Sequence, residues 1–263
     1  MDTLPTTFLS HGAPDLPIRD GAVSQFLRSL HQLFPKPKAI LVISAHWNSD
    51  TPMVSAAIQP RTIYDFSGFP EQLYQLSYPA SGAPELSDRV VDLLLQSGIS
   101  CTTHPSRGLD HGAWTPLILA YPAADIPVTQ LSIQYHRDPL YHWQVGQALE
   151  PLRHEGVLII GSGSITHNLY AFSPNYDATP LDWVQQFDQW IAKTIADKDW
   201  ESLMHYRQLA PYASKNHPTD EHLLPLFVAL GAAGANVEGR QLHSSYTYGA
   251  FSMAAYAFAN SEG

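Results

Sequence analysis

Two uninterrupted apolar runs constrain this chain more than any other feature. Ala39-Ile40-Leu41-Val42-Ile43-Ser44 and Val157-Leu158-Ile159-Ile160 show no alternation of polar and apolar residues. A strand with one wetted face alternates with period two, so a strand without alternation must be covered on both faces. Both runs are far shorter than the ~20 residues that cross a bilayer, as is every other apolar stretch of the chain. Their β-branched content makes them strands of a sheet with helices on each side.

The flanking segments supply those helices. Val23, Phe26, Leu27, Leu30 and Phe34 recur at helical spacing before Pro35 and Pro37 stop them. Residues 85–96 form a second helix through Leu86, Val90, Leu93 and Leu94, opened by Pro84 and closed by Gly98. Further strands are expected over 4–10 and 126–133. Further helices are expected over 140–153, around Trp183, Phe187, Trp190 and Ile191, and over 223–230. Residues 52–82, rich in Pro, Gly and aromatics, read as a strand plus a long loop, and the tail 248–258 fits strand or helix. With no repeat or linker, the expectation is an α/β fold: a single domain over 1–263 with a central, mostly buried sheet flanked by helices. A chain of 263 residues, 44% of them hydrophobic, can fill such a core.

Composition removes several function classes. Fourteen Lys and Arg against 24 Asp and Glu give a net charge of −10 without basic clusters, so neither nucleic acid nor an anionic membrane is the expected partner. Cys101 is the only cysteine, which excludes an intramolecular disulfide and a thiolate metal cage. Residues 1–10 lack the basic and apolar segments of a secretory signal, and the expected location is cytoplasmic.

Histidine stands out, with 13 residues, nearly as many as Lys and Arg together. Imidazole is both the commonest metal ligand and a proton carrier near neutrality. His31, His104, His136, His142, His154, His205 and His243 lie in ordinary helix or loop surroundings and read as surface or core residues. Open α/β sheets gather ligands beyond the carboxyl ends of their strands, where His11, His46 and His167 fall. His111 follows Asp110, an acidic neighbour able to orient an imidazole, in a segment read as loop. His222 opens the apolar helix of Glu221-His222-Leu223-Leu224-Pro225-Leu226. Rival motifs fail. Gly161-Ser162-Gly163-Ser164, read as a loop before His167, is neither a nucleophile elbow nor a dinucleotide fingerprint. His217 and Glu221-His222 miss the inverted zinc-protease spacing by one residue.

The ordered set Ser10-His11-Gly12-Ala13-Pro14, Ser44-Ala45-His46-Trp47, Asp110-His111-Gly112, Ser164-Ile165-Thr166-His167-Asn168-Leu169 and Glu221-His222-Leu223-Leu224-Pro225-Leu226 resembles the DODA-type class III extradiol dioxygenases. These belong to the superfamily of the protocatechuate 4,5-dioxygenase catalytic subunit. Tyr64-Asp65-Phe66-Ser67-Gly68-Phe69-Pro70 also looks like the family, and the resemblance covers nearly the whole chain. It implies a non-haem Fe(II) enzyme opening a catechol ring, DOPA-like substrates included, with dioxygen. It further implies His11 and His46 as metal ligands, and His111 and His167 as the acid/base pair, with His167 able to serve as a fourth ligand when zinc fills the site. The third ligand is His222, by the DODA branch and by its sharing a helix face with Leu226; Glu221 is the alternative.

A reading from another class keeps the scaffold but not the redox chemistry: a zinc-binding metallohydrolase, or a non-enzymatic metal- or ligand-binding protein. The presence of both His111 and His167 favours the dioxygenase. For the ring substituent, Arg61 or Arg107 could meet an anionic group, and Tyr170 with the 172–180 loop could shape the pocket, although a solvent loop is an equal reading.

Overall fold

A computed structural model describes residues 3–260; residues 1–2 and 261–263 of the expected 1–263 domain lie outside the described residues. Among the described residues the strands, in chain order, are β1 (Thr6–Ser10), β2 (Ala39–Asn48), β3 (Met53–Ser55), β4 (Thr102–His104), β5 (Val128–Ile133), β6 (Val157–Gly163), β7 (Val237–His243), β8 (Tyr246–Thr247), β9 (Phe251–Ser252) and β10 (Ala255–Asn260). The principal helices are α1 (Ala22–Ser29), α2 (Pro84–Gln96), α3 (His111–Ala120), α4 (Pro139–Leu149) and α5 (Asp182–Ala196). The short α6 (Trp200–Met204), α7 (Tyr206–Leu209) and α8 (Ala213–Asn216) lead to α9 (Leu224–Ala232). Eight strands form one mixed sheet in the order β4-β3-β5-β2-β6-β1-β10-β7.

The two apolar runs lie side by side at its centre. Ala39 to Ser44 pairs in parallel with Val157 to Ser162, and β5 and β1 extend the parallel block on either side. Ile40, Val42, Leu158 and Ile160 pack with α1 and α3 on one face, while Leu41, Ile43 and Ile159 pack with α2, α4, α5 and α9 on the other. This two-sided burial explains why neither run alternates. Each such side chain contributes about 1.5–3 kcal/mol by leaving water. The fold is the expected single α/β domain.

Several local expectations are corrected. The segment after Asp110 is a helix, not a loop, and nine of the ten α3 residues are buried. A helix apolar on all sides has no amphipathic period to betray it. Gly161-Ser162-Gly163 is not a loop but the end of β6. His222 does not open the helix: it sits in the turn before α9. The tail is strand, β9 and β10, with β10 antiparallel to both β1 and β7. Strand β2 runs past the expected residue 44 to Asn48, through a stretch where its pairing with β5 shifts register. His46 occupies that irregular end.

Candidate metal centre

Because β1, β2 and β6 are parallel, their carboxyl ends share one edge of the sheet. Ser10 ends β1, and the next residue, His11, is tied there by its backbone N–H to the Gly163 carbonyl at 2.9 Å. His46 comes from β2, and the turn before α9 brings His222 over the same edge. That approach needs glycine in β6. A Cβ on Gly163 would stand 2.0 Å from the His222 carbonyl oxygen, and one on Gly161 would stand 2.3 Å from that of Pro225. The Gly-Ser signal noted in the sequence therefore marks close backbone approach and not a phosphate loop.

The three imidazoles converge through one nitrogen each. His46 Nε2 lies 3.0 Å from His11 Nε2 and 3.2 Å from His222 Nε2. For two of them, His222 and His11, the other nitrogen fixes the tautomer. His222 Nδ1 meets Glu221 Oε1 at 3.1 Å, and a carboxylate only accepts, so Nδ1 carries the proton. His46 Nδ1 lies 3.5 Å from Asp65 Oδ2, near enough for electrostatic attraction but without a hydrogen bond between them. His11 Nδ1 lies 3.0 Å from Ser162 Oγ, whose own hydrogen is donated to the Gly112 carbonyl, so this hydroxyl must accept. The Nε2 atoms of His11 and His222, left bare by these partners, thus both face His46 Nε2 across about 3 Å.

A cation between these nitrogens would satisfy the bare lone pairs. Protonation is not the remedy. Burial, then the neighbouring imidazoles, holds His11 and His222 well below the usual imidazole range. Burial and His111 bring His46 down to about 3 against the opposing pull of Asp65. Neutral imidazoles with carboxylates and a hydroxyl beside their outer nitrogens are the kind of donors that bind a metal ion. His11, His46 and His222 could hold a metal ion.

Two further histidines border the trio. The His167 ring stacks on His222 at 3.4 Å between centroids, 11° from parallel, and burial followed by His46 and His111 lowers it to about 4. His111 begins α3, its ring 3.9 Å from that of His46. Asp110 does not orient it. The Asp110 carboxylate instead accepts from Ser44, Arg107 and Gln130, clamping β2, β5 and the start of α3. The acidic partner of His111 is Asp65, whose Oδ1 lies 3.0 Å from His111 Nδ1 and accepts the His111 backbone N–H at 3.0 Å. Burial pushes the Asp65 carboxyl up, but His111 and then His46 outweigh it and hold it at about 2. Sequence reasoning missed Asp65 as a site residue; its signal was the Tyr64-to-Pro70 motif, which had no chemistry attached.

All five histidines and Glu221 line one cavity of about 420 Å³ whose walls are largely apolar, including Pro14, Phe69, Leu169, Phe172 and Phe251. Of the 172–180 loop, Phe172 lies on this wall, and Tyr170 is 96% exposed beside an adjoining hollow. Arg61 and Arg107 are not on the cavity wall. Arg107 is committed to Asp110 and to the face of Trp47, and Arg61 is exposed.

An α/β sheet whose strand ends bring together three imidazoles able to hold a metal, in a cavity walled in part by aromatic rings, fits a metal-dependent enzyme centre. The chain belongs to the family described as the catalytic LigB subunit of aromatic ring-opening dioxygenase, which matches residues 7–259. It is an extradiol ring-cleavage dioxygenase, an oxidoreductase. Among similar proteins, the 4,5-DOPA dioxygenase extradiol of Beta vulgaris is 48% identical over 257 residues, covering 96% of each chain. The protein of the same name in Escherichia coli (strain K12) is 37% identical over 234 residues, covering 87% of this chain and 85% of that one. The crystal structure of an uncharacterized protein from Escherichia coli K12 matches with a TM-score of 0.80 at 31% identity, covering 97% and 99% of the two chains. Among the described residues, no helix is long and apolar enough to cross a membrane.

Proposed function

We propose that the protein is a non-haem Fe(II) dioxygenase that opens the ring of a 3,4-dihydroxyphenyl compound of the DOPA type beside its diol. His11, His46 and His222 hold the metal, while His111 and His167 handle protons. The observation that carries this reading is the convergence of three Nε2 atoms, two of them left bare by a hydrogen bond on the opposite nitrogen, from His222 to Glu221 and from His11 to Ser162. The names of the relatives support the DOPA-type substrate. Bound Fe(II) supplies a redox centre and free coordination positions at which a catecholate and dioxygen can meet.

The residues of the chain do the rest. Phe69, Phe172 and Phe251 line the cavity as aromatic surfaces against which a planar ring packs, and they exclude water from the reacting atoms. His111 Nδ1 faces an acceptor-only carboxylate, which leaves Nε2 free to take a phenolic proton as the catechol binds. His167 is neutral at pH 7 and takes part in later steps by accepting a proton and returning it to an oxygen of the product. Its stack on His222 holds it beside the ring-opening atoms. Both atoms of dioxygen end in the product, a muconic semialdehyde. Zinc can occupy the same three nitrogens but, being redox-inert, does not support the dioxygen step; His167 groups with Glu221 and His222 and not with the trio, so a fourth-ligand role would need its ring to leave the stack on His222. The single cysteine is buried and unpaired, in keeping with a proposed cytoplasmic location.

The test is anaerobic loading with Fe(II), addition of DOPA or 4-methylcatechol, and admission of air. The expected result is a yellow product with one dioxygen consumed per catechol, absent with Zn(II). No oxygen uptake with any catechol despite tight metal binding would move the protein to the zinc-binding or hydrolytic reading.

A further inference from the structure

We infer that Asp65 is a positioning residue that ties the metal ligand His46 to the proton-handling His111, so that one carboxylate orients both. The inference deepens the reading proposed above and rests on it for the two histidine roles. The geometry is specific. Oδ1 lies 3.0 Å from His111 Nδ1 and 3.0 Å from the His111 backbone nitrogen, while Oδ2 lies 3.5 Å from His46 Nδ1. The two rings it faces are themselves only 3.9 Å apart.

The carboxylate is held where it can do this. The backbone of its loop is laced to the segment before α3 by Ile63 N–H to Leu109 O and Leu109 N–H to Arg61 O, both 2.8 Å, and to α3 by Trp114 Nε1 to Ile63 O at 3.0 Å. Phe66 and Tyr64 pack on Trp114, fixing the loop on both sides of Asp65. Asp65 also stands at the amino end of α3, where the Asp110 side chain makes no capping bond, and a negative charge there is favoured by the helix dipole. The hydrogen bond Oδ1 makes here is to the His111 backbone N–H, and a carboxylate this close to both Nδ1 atoms favours a proton on each. His46 then directs its lone pair at the metal, and His111 keeps Nε2 free for the substrate proton. A carboxylate presents an oxygen to each ring; an asparagine would turn its amide nitrogen, a donor, toward one of the two Nδ1 atoms.

The experiment compares wild type, Asp65→Asn, Asp65→Glu, His111→Gln and the Asp65→Asn/His111→Gln double variant. Zinc affinity is read by chelator competition, and kcat and KM by oxygen uptake of the Fe(II) enzymes with 4-methylcatechol. Asp65→Asn is expected to weaken zinc by about 10–100-fold, the usual cost of losing a supporting partner of a ligand, while His111→Gln leaves zinc within about 2-fold. It is also expected to lower kcat by roughly 10²-fold with a smaller change in KM, and Asp65→Glu should recover part of both losses. In the His111→Gln background, at saturating Fe(II), Asp65→Asn should cost less than about 3-fold further in kcat, since its effect on proton transfer runs through His111. A merely structural role predicts additive losses instead. Zinc affinity within 2-fold of wild type, or additive kcat losses, would overturn the inference. Should Asp65→Asn not fold, nitrogen-15 spectra of zinc-loaded wild type decide: a bare Nδ1 on His46 or His111 overturns the tie, and protonated Nδ1 on both sustains it. Wild type that binds zinc as expected but consumes no oxygen with any catechol would overturn the dioxygenase reading, leaving the tie to stand or fall on affinity and spectra.

Discussion

Replacing His222 and Glu221 in turn separates a metal ligand from the residue that aims it. His222→Ala removes one of three converging lone pairs. Apparent zinc affinities of four-ligand protein sites are about 10–16 kcal/mol, so one ligand corresponds to about 3–4 kcal/mol, a weakening of roughly 10²–10³-fold. Glu221 touches the other nitrogen of that ring, at 3.1 Å, and accepts from Thr219 as well. Glu221→Gln retains an amide oxygen that can accept the Nδ1–H, so its cost belongs at the low end for a supporting partner, about 10-fold. Activity is a poor readout, because His222→Ala also removes the surface on which His167 stacks. The assay is metal content after dialysis, with zinc affinity by chelator competition, for both variants at pH 7.5. Equal metal loss in the two variants, or loss in Glu221→Gln alone, would refute the three-imidazole site and restore a glutamate ligand.

His167→Ala should keep metal content near wild type and lose turnover by about 10²–10⁴-fold, measured by single-turnover oxygen uptake. His111→Ala should do likewise; unfolding with unchanged specific activity in the folded fraction would instead make it a packing residue. Gly163→Ala should lower stability by more than about 1–3 kcal/mol and reduce metal content together, because its Cβ collides with the His222 carbonyl; denaturant midpoints and metal analysis check both. His142 donates from Nδ1 to the Asp138 carbonyl and accepts the Gln134 N–H at Nε2, and burial lowers it to about 4. The unfolded chain takes that proton first, near pH 6.5, so stability is lost as pH falls from about 6.5 toward about 4, by about 3 kcal/mol from this group. Urea midpoints at pH 7 and 4.5 should therefore differ less in His142→Gln than in wild type.

Sequence alone determined the layered core and the edge of the sheet where chemistry gathers. Runs such as residues 39–44 and 157–160 have no polar alternation, and only strands covered on both faces tolerate that. With those strands parallel, His11, His46 and His167 had to emerge on one side, and the order of the motifs supplied His111 and His222. What pattern could not carry was contact between distant segments. Helix α3 was invisible because burial on every side erases the amphipathic signal. Asp110, adjacent to His111 in the chain, is turned to Ser44, Arg107 and Gln130, while Asp65, 46 residues away, reaches both His111 and His46. The choice between Glu221 and His222 likewise depended on which side chain the turn before α9 presents to the centre. Tautomers, too, are tertiary: those of His11 and His222 follow from acceptors contributed by Ser162 and Glu221. Periodicity records which face of an element is buried, but only packing decides which atoms meet across it.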